Sequence, residues 1–272
     1  MPSTVTHRPA PDGTPLVARH WAPMGVAWAR LLLVHGLAEH SGRYEHVGER
    51  LAAAGIDAHA IDLRGFGASG GERAWVDRWS RLHDDLEHRI EWLRTLEPAV
   101  PLVLYGHSLG GLVCLGYALD ARAEPDLLVL SAPAIDSAIP AWRRLLATVL
   151  NRIAPSTRVA NSLRSDSLSR DPAVWADYLA DPLNEHRSTV RLGTAAIAEQ
   201  QRVTRRLHDL AIPTLVIHGG DDQLVPTASS QAFEGRRGVT RRVYPGARHE
   251  VHNETERDQV IDDVVAWIRE QV

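Results

Sequence analysis

One serine of this 272-residue chain lies in the sequence Gly-His-Ser-Leu-Gly, and its surroundings point to chemistry more clearly than those of any other residue. Ser108 follows an apolar run and precedes a helical pattern of leucine and valine residues. A strand, a sharp turn and a helix in this order push the serine hydroxyl out of the fold, and Gly106 and Gly110 let strand and helix approach closely. The N-terminus of that helix also favours the negative oxygen that develops during acyl transfer. We therefore predict that Ser108 is a nucleophile rather than a turn serine that caps a helix.

A nucleophilic serine requires a base, usually histidine, and an acid that orients the base. In a sheet of this kind both follow the serine along the chain, the acid first. The apolar run 213–218 predicts a strand, and the turn after it carries Asp221 and Asp222, both candidates for the acid. His249 occupies the loop after the last predicted strand and is the predicted base, with His252 as its rival.

The reaction also requires donors for the oxygen of the tetrahedral intermediate. The buried-strand pattern 29–34 ends in His35 and Gly36, and a glycine at that point lets the next amide face the nucleophile. We predict the backbone amides of Leu37 and Leu109 as this oxyanion hole. Because backbone groups make it, the side chains at both positions carry little information.

Four short segments carry a recognisable order of residues. Residues 35–44 read HGLAEHSGRY, 62–71 read DLRGFGASGG, 218–222 read HGGDD and 244–250 read YPGARHE. With these segments the chain resembles the monoacylglycerol lipase and lysophospholipase group of the α/β-hydrolases, and the bacterial monoacylglycerol lipases in particular, from about residue 10 onward. One position departs from the group, which usually has histidine where this chain has Phe66.

The resemblance implies an α/β-hydrolase fold and a serine esterase for lipids with one acyl chain, above all monoacylglycerols, that needs no cofactor. Its His-Gly-x-x-Asp pattern assigns the orienting acid to Asp222. Residues that match Glu39, Arg43 and His252 are linked in that group to the glycerol end of the substrate. The residues themselves leave open the alternative of an ion pair that fixes the loop after the strand.

Other functions share much of this pattern. A lysophospholipase or a general carboxylesterase would use the same Ser, Asp and His, and an amide hydrolase could do so as well. A non-catalytic small-molecule receptor on the same fold is the alternative from another class. An intact Ser108, Asp222 and His249 argues against a receptor, because binding alone does not require all three.

Strand and helix signals alternate along most of the chain, which predicts an α/β protein with a mostly parallel sheet and helices on both faces. We expect a hydrolase core in residues 1–136 and 211–272, interrupted by a helical cap in residues 137–210. A hairpin near Asp12 feeds an edge strand. The predicted strands are 30–34, 56–61, 101–105, 126–130, 213–218 and 240–245, and the predicted helices are 43–54, 77–96, 109–121, 227–235 and 255–270.

The segment 137–210 breaks the alternation and contains no convincing strand. Apolar residues recur at helical spacing between Ile139 and Ile153, and 11 arginines against 7 acidic residues give the segment a net charge of +4. One interpretation is a basic cap that rests on an anionic lipid surface or roofs an acyl tunnel. The other is a helical lid that packs on the core and leaves its arginines in water.

Composition favours an ordinary cytoplasmic enzyme, and a peripheral location at membranes is compatible with it. The net charge of −4 argues against a nucleic-acid partner, and Cys114 is the one cysteine, which excludes an internal disulfide. We expect no signal peptide, because the first residues have no charged region followed by an apolar segment, and no apolar run approaches the length of a membrane span. The expected partner is a lipid ester substrate, and the residues carry no signal for an oligomeric state.

Two further patterns predict no ligand. Residues 65–70 spell the Gly-x-Gly-x-x-Gly dinucleotide fingerprint, but a loop rather than a helix is expected to follow them. His249 and His252 are three residues apart in a predicted loop, whereas zinc helices of the His-Glu-x-x-His type space their histidines by four. We therefore expect neither a nucleotide nor a metal.

Overall fold

Eight strands form one mostly parallel sheet in the computed structural model, which describes residues 2–120, 122–136, 139–161, 163–164 and 167–272. The strands among these residues are β1 (Thr4–Pro9), β2 (Pro15–Trp21), β3 (Ala29–Val34), β4 (Ile56–Ile61), β5 (Leu102–His107), β6 (Leu127–Ser131), β7 (Arg158–Ala160), β8 (Arg187–Thr189), β9 (Thr214–Gly219) and β10 (Val239–Tyr244). The order in the eight-stranded sheet is β1, β2, β4, β3, β5, β6, β9 and β10; β1–β2 and β2–β4 pair antiparallel, and the other pairs are parallel.

Helices cover both faces of this sheet, as the alternating pattern predicts. The α-helices are α1 (Glu45–Ala53), α2 (Ser80–Arg94), α3 (Leu109–Ala118), α4 (Ala141–Ile153), α5 (Pro172–Ala180), α6 (Val190–Arg206) and α7 (Arg257–Gln271). Short 3₁₀ helices span Ser41–Tyr44, Leu207–Asp209, Thr227–Phe233 and Val251–Asn253. Strands covered on both faces read as continuous apolar runs, and β3 to β6 and β9 are buried along their whole length.

The two faces of the sheet form separate apolar cores. In β3, Leu32 and Val34 join the core under α2, α3 and α6, whereas Leu31 and Leu33 join the core under α1 and α7. This alternation is the period of two that successive side chains of a strand follow. The sheet is therefore held rigidly between two helical layers, which fixes the ends of its strands.

The structure corrects two expectations about secondary structure. The expected helix 227–235 is a 3₁₀ helix over Thr227–Phe233. The expectation of no strand in residues 137–210 is wrong, because β7 and β8 pair antiparallel there. Each has only three residues, which is too short to show an alternating pattern. Residue 121, the predicted end of a helix, and residue 137, the predicted start of the cap, lie outside the described residues.

The insertion between β6 and β9 contains α4, α5 and α6. Its helix α6 packs against α3 of the core through Leu192 and Val203, which are buried. Large apolar side chains of α4 are instead exposed, with Trp142 at 62% and Leu145 at 67%. The boundaries of a separate cap at residues 137 and 210 stay a prediction. Among the residues that the structure describes, no helix has the length and the hydropathy of a membrane span.

Candidate active site

Ser108 occupies the turn between β5 and α3 in a strained conformation. Its φ of 51° and ψ of −115° lie in a region that residues with a side chain rarely adopt. The flanking glycines permit the close approach: a Cβ at Gly106 would collide with the backbone of Gly110, and one at Gly110 would collide with Val34 and His35. The turn predicted from the sequence is therefore present, with Ser108 at its apex.

The structure brings Ser108, His249 and Asp222 into one hydrogen-bonded chain. Ser108 Oγ lies 2.8 Å from His249 Nε2, and Asp222 Oδ2 lies 2.7 Å from His249 Nδ1. Ser108 follows β5, Asp222 follows β9 and His249 follows β10, so the carboxyl ends of three parallel strands of one sheet bring them together. Because the carboxylate can only accept, Nδ1 carries the proton and leaves Nε2 free to accept one from the hydroxyl.

The Asp222 carboxylate is buried but well supplied with donors. Oδ1 accepts from the amides of Leu224 and Val225 at 2.8 and 2.9 Å, and His218 Nε2 lies 3.1 Å from Oδ2. Burial alone would raise the pKa of Asp222, but the charge of His249 and these hydrogen bonds hold that pKa well below its usual range. Asp222 is therefore a carboxylate over the whole physiological pH range.

The pKa of His249 responds to two opposing influences. Burial lowers it, whereas the Asp222 carboxylate, which bonds to the ring, and the nearby Glu250 raise it, and the net pKa lies above the ordinary value. A base with a raised pKa accepts a proton more readily. The ring of His249 is also held in place, because both of its nitrogens have hydrogen-bond partners.

The two rival residues do not join this chain. Asp221 is exposed, and its amide donates to the carbonyl oxygen of Ala247 at 2.9 Å. His252 is buried, stacks on Tyr44 with ring centroids 4.7 Å apart and meets His107 edge-on at 4.7 Å. Neither ring nitrogen of His252 has a hydrogen-bond partner in the described part of the chain.

The loop after β3 lies directly beside Ser108. A Cβ added to Gly36 would lie 3.2 Å from Ser108 Cβ, so Gly36 permits this approach and Leu37 follows it. The ring of His35 fixes the loop, because its Nε2 accepts from the amide of Leu63 at 2.9 Å. Leu109 is the first residue of α3, and the amide of a first helical residue has no acceptor within its own helix.

Glu39 and Arg43 belong to a buried network of charges around this loop. Glu39 accepts from the amide of Gly36 at 2.6 Å, from Tyr44 Oη at 2.7 Å and from Arg43 Nη1 at 2.6 Å. Arg43 also donates both terminal nitrogens to Glu250, at 2.6 and 2.8 Å. These contacts favour the alternative in which Glu39 and Arg43 fix the loop, and a role of Glu39, Arg43 or His252 toward a substrate stays a prediction.

Sequence reasoning missed several residues around the candidate site. Glu250 is the second partner of Arg43, His218 the second side chain on Asp222, and the ring of His107 lies 4.8 Å from that of His249. Burial and the charge of His249 lower the pKa of His107 to about 3, which keeps that ring neutral. His218 precedes Asp222 by four residues and Glu250 follows His249, so both lay inside segments already recognised.

The insertion is tied to the site by backbone hydrogen bonds. The amide of Glu250 donates to Leu168 O at 2.8 Å, which holds the loop that carries His249. On the other side, the carbonyl oxygen of Ala38 accepts from the amide of Glu185 at 3.1 Å and from Tyr178 Oη at 3.2 Å. The insertion therefore borders the candidate site on two sides.

A group of side chains that could ligate a metal ion is already paired within the protein. Among the described residues, His20, Asp57 and His59 place one ligand atom each within 4.8 Å of one another, as a metal ion would require. Asp57 Oδ2, however, accepts from Arg30 Nε at 2.7 Å, and Arg89 Nη2 donates to His59 Nδ1 at 3.3 Å. These contacts favour an ion-pair network. Cys114 is fully buried in α3, and burial raises the pKa of its thiol.

Comparison with known proteins shows which family this chain matches. The family model described as serine aminopeptidase, S33, matches residues 26–256. A monoacylglycerol lipase of Mycolicibacterium smegmatis is 37% identical over 262 residues, covering 94% of this chain and 93% of that protein. Phospholipase YtpA of Bacillus subtilis is 31% identical over 241 residues, covering 85% and 92%.

A solved structure resembles this chain closely as well. The crystal structure of Paleococcus ferrophilus monoacylglycerol lipase matches with a TM-score of 0.86 at 30% identity, covering 94% of this chain and 99% of that one. The family resemblance and the α/β-hydrolase fold expected from the sequence are thus both confirmed.

Proposed function

The chain belongs to the serine aminopeptidase S33 family of α/β-hydrolases, and we propose that it is a serine esterase that hydrolyses monoacylglycerols to fatty acid and glycerol. The observation that carries the proposal is the chain of hydrogen bonds from Ser108 through His249 to Asp222. The similarity of this protein to monoacylglycerol lipases, which covers more than nine-tenths of this chain and of each relative, supports the substrate class.

In the first half of the reaction, Ser108 Oγ forms a bond to the ester carbonyl carbon while His249 Nε2 takes the hydroxyl proton. Asp222 holds the ring with Nδ1 protonated and stabilises the imidazolium that results. The amides of Leu37 and Leu109 donate to the oxyanion, and loss of one such donor typically costs roughly 100- to 1000-fold in rate. Collapse of the intermediate breaks the bond to the glycerol oxygen, which takes the proton from His249.

In the second half, water completes the cycle. His249 takes a proton from the water molecule as its oxygen bonds to the acyl carbon. Collapse of the second tetrahedral intermediate breaks the bond between the acyl carbon and Ser108 Oγ, which takes its proton from His249, and the fatty acid leaves. No redox step occurs, and no cofactor is part of this scheme.

The substrate assignment is tested with a panel of esters that share one acyl chain. We expect the highest kcat/KM for a monoacylglycerol, with a lower value for the lysophospholipid and little turnover of the corresponding anilide. A series of monoacylglycerols of graded length then reports the depth of the acyl site, because each buried CH₂ adds up to about 0.8 kcal/mol. A higher kcat/KM for the anilide than for the esters, or no turnover of any substrate, would contradict the assignment as an esterase.

A lysophospholipase is the second candidate function, favoured by the 31% identity to a phospholipase. It would use the same nucleophile, base and acid and differ only in the group that leaves. The same panel separates the two, because a lysophospholipase prefers the ester that carries a phosphate head group.

We also propose that α4 docks the protein on lipid surfaces. Its exposed apolar side chains lie on a helix that also carries Arg143, Arg144 and Arg152, a combination that suits an anionic interface. The exposed members are Trp142, Leu145, Leu146, Val149 and Ile153, and Ile139 just before the helix is exposed as well. This arrangement favours the lipid-facing interpretation of the basic cap over a lid packed on the core.

Replacing Trp142 and Leu145 together with serine should weaken turnover of monoacylglycerol in anionic vesicles by about tenfold, because two partly inserted apolar side chains are lost. Turnover of a dissolved short-chain ester should stay nearly unchanged. Met24→Ser is the matched control, since Met24 is 96% exposed in the loop between β2 and β3. Equal losses on both substrates would show that α4 acts on the acyl chain rather than on the surface.

The pH dependence of kcat/KM should report His249. The ring must be neutral to accept the proton of Ser108, so activity is lost as the pH falls through its pKa, which lies above the ordinary value of about 6.5. The pKa values of His107 and His252 are lowered by burial, so these rings do not titrate in that range. A single acidic limb with a midpoint below 6.5 would contradict this assignment of His249.

A further inference from the structure

A second cavity lies away from the candidate active site, at the β1–β2–β4 edge of the sheet against α2. Its volume is about 450 Å³, within the range of small-molecule sites. Exposed residues of β1 and His88 form its rim, and Leu16, Ala18 and Ile61 form a buried apolar floor. Arg8, Arg89 and Trp92 complete the wall.

Arg89 is the unusual residue of this wall. It is only 6% exposed, and its Nη2 donates to His59 Nδ1 at 3.3 Å. Neither Nε nor Nη1 of Arg89 has a hydrogen-bond partner among the residues that the structure describes. Burial lowers the pKa of His59 to about 4, so this one partner is neutral. A buried guanidinium with two free donors and no carboxylate in direct contact is costly.

The acidic groups nearby are already engaged. Asp85 also lines the cavity, but both of its oxygens accept from Arg64 at 2.6 Å. Asp57 accepts from Arg30 and from His20, each at 2.7 Å. The cavity therefore contains a cation whose charge the neighbouring carboxylates do not neutralise through direct contact.

Arg8 adds a second positive charge to the same wall. Its guanidinium lies 3.8 Å from the ring centroid of Trp92, and that of Arg89 lies 4.1 Å from it. Burial and the charge of Arg8 lower the pKa of Arg89 to about 9. An anion in the cavity would relieve both effects, since it would supply the charge and the acceptors that Arg89 lacks.

We propose that this cavity binds the carboxylate of a small amphiphilic anion. The carboxylate accepts hydrogen bonds from Arg89 and pairs with Arg8, while the apolar body lies on Leu16, Ala18 and Ile61 beside Trp92. The apolar floor favours a carboxylate with a hydrocarbon chain over inorganic phosphate, which needs polar groups on all sides. The fatty acid released in the reaction proposed above has this chemistry; that link rests on the proposed function, whereas the binding site does not.

Calorimetric titration of the full chain with octanoate tests the site without any turnover. Arg89→Leu should weaken the binding of octanoate in this cavity at least about tenfold, because a charge-assisted hydrogen bond is lost. Arg8→Gln, on the exposed edge strand, should weaken it less, and the exposed Arg237→Leu is the control that should leave it unchanged. Octanoate held near Ser108 would contribute equally to all four proteins, so failure of the proposed function would not alter the comparison.

Octanol and inorganic phosphate at constant ionic strength form two further arms. Octanoate that binds all four proteins alike would overturn the site, and Arg8→Gln keeps the test decisive if Arg89→Leu does not fold. If the protein bound phosphate through Arg89 but did not bind octanoate, the proposal of an amphiphilic ligand would be wrong. Octanol that binds as tightly as octanoate would overturn the role of the charge.

Discussion

Replacing Ser108 with alanine should lower kcat on monoacylglycerol by about a millionfold, to the residual rate that the oxyanion donors and substrate binding alone support. The reason is that no other hydroxyl follows β5 at the position where His249 Nε2, 2.8 Å away, can take a proton. The same change should abolish covalent labelling by a fluorophosphonate probe. The measurement is single-turnover kinetics together with intact-protein mass spectrometry.

The matched control is Ser80→Ala at the start of α2, which should label and turn over as the unaltered protein does. Persistent labelling of the Ser108→Ala protein would contradict the assignment. Stability provides an independent readout of the turn. Because φ at Ser108 is 51°, Ser108→Gly should be equally inactive yet more stable than Ser108→Ala by about 1 kcal/mol.

The central strands could be predicted because each is a buried apolar run. Those from β3 to β6 and β9 are covered on both faces, so their sequences have no polar alternation to confuse the pattern. The edge strand β1 is exposed along its length, and only the turn at Asp12 and Gly13 indicated a hairpin there. Short β7 and β8 had too few residues to produce any period.

The site was predictable where chain order and turn chemistry determine it. Ser108 stands between glycines that only a close strand–helix turn requires, and His249 follows the last strand. The choice between Asp221 and Asp222 could not be made from the turn alone, because both side chains belong to it. The resemblance favoured Asp222, and the structure buries Asp222 against His249 while leaving Asp221 exposed.

The second partner of Arg43 could not be predicted, because it is distant in sequence. Arg43 pairs with Glu250, 207 residues away, and Arg89 approaches Arg8 only through the fold. A sequence shows which side chains carry charge but not which charges meet after burial. The cavity beside Arg89 thus emerged from three-dimensional contacts alone.

Replacing Asp222 with asparagine should lower kcat roughly ten-thousandfold while leaving the fold intact. An amide at that position can donate to His249 Nδ1, which moves the ring proton to Nε2 and removes the acceptor that Ser108 needs. The imidazolium that forms in the reaction also loses its counter-charge. The amides of Leu224 and Val225, which donate to Oδ1 of the carboxylate, can still donate to the amide oxygen, so the loop should keep its shape.

Asp221→Asn is the matched control, because it makes the same chemical change one residue away on an exposed side chain. Its kcat should stay within about twofold of the unaltered protein. The acidic limb of kcat/KM gives a second readout: the Asp222 carboxylate raises the pKa of His249, so Asp222→Asn should shift the limb of the residual activity to lower pH and Asp221→Asn should not. If Asp221→Asn carried the larger loss, the acid would have to be reassigned, and the 2.7 Å contact between Asp222 and His249 would be structural.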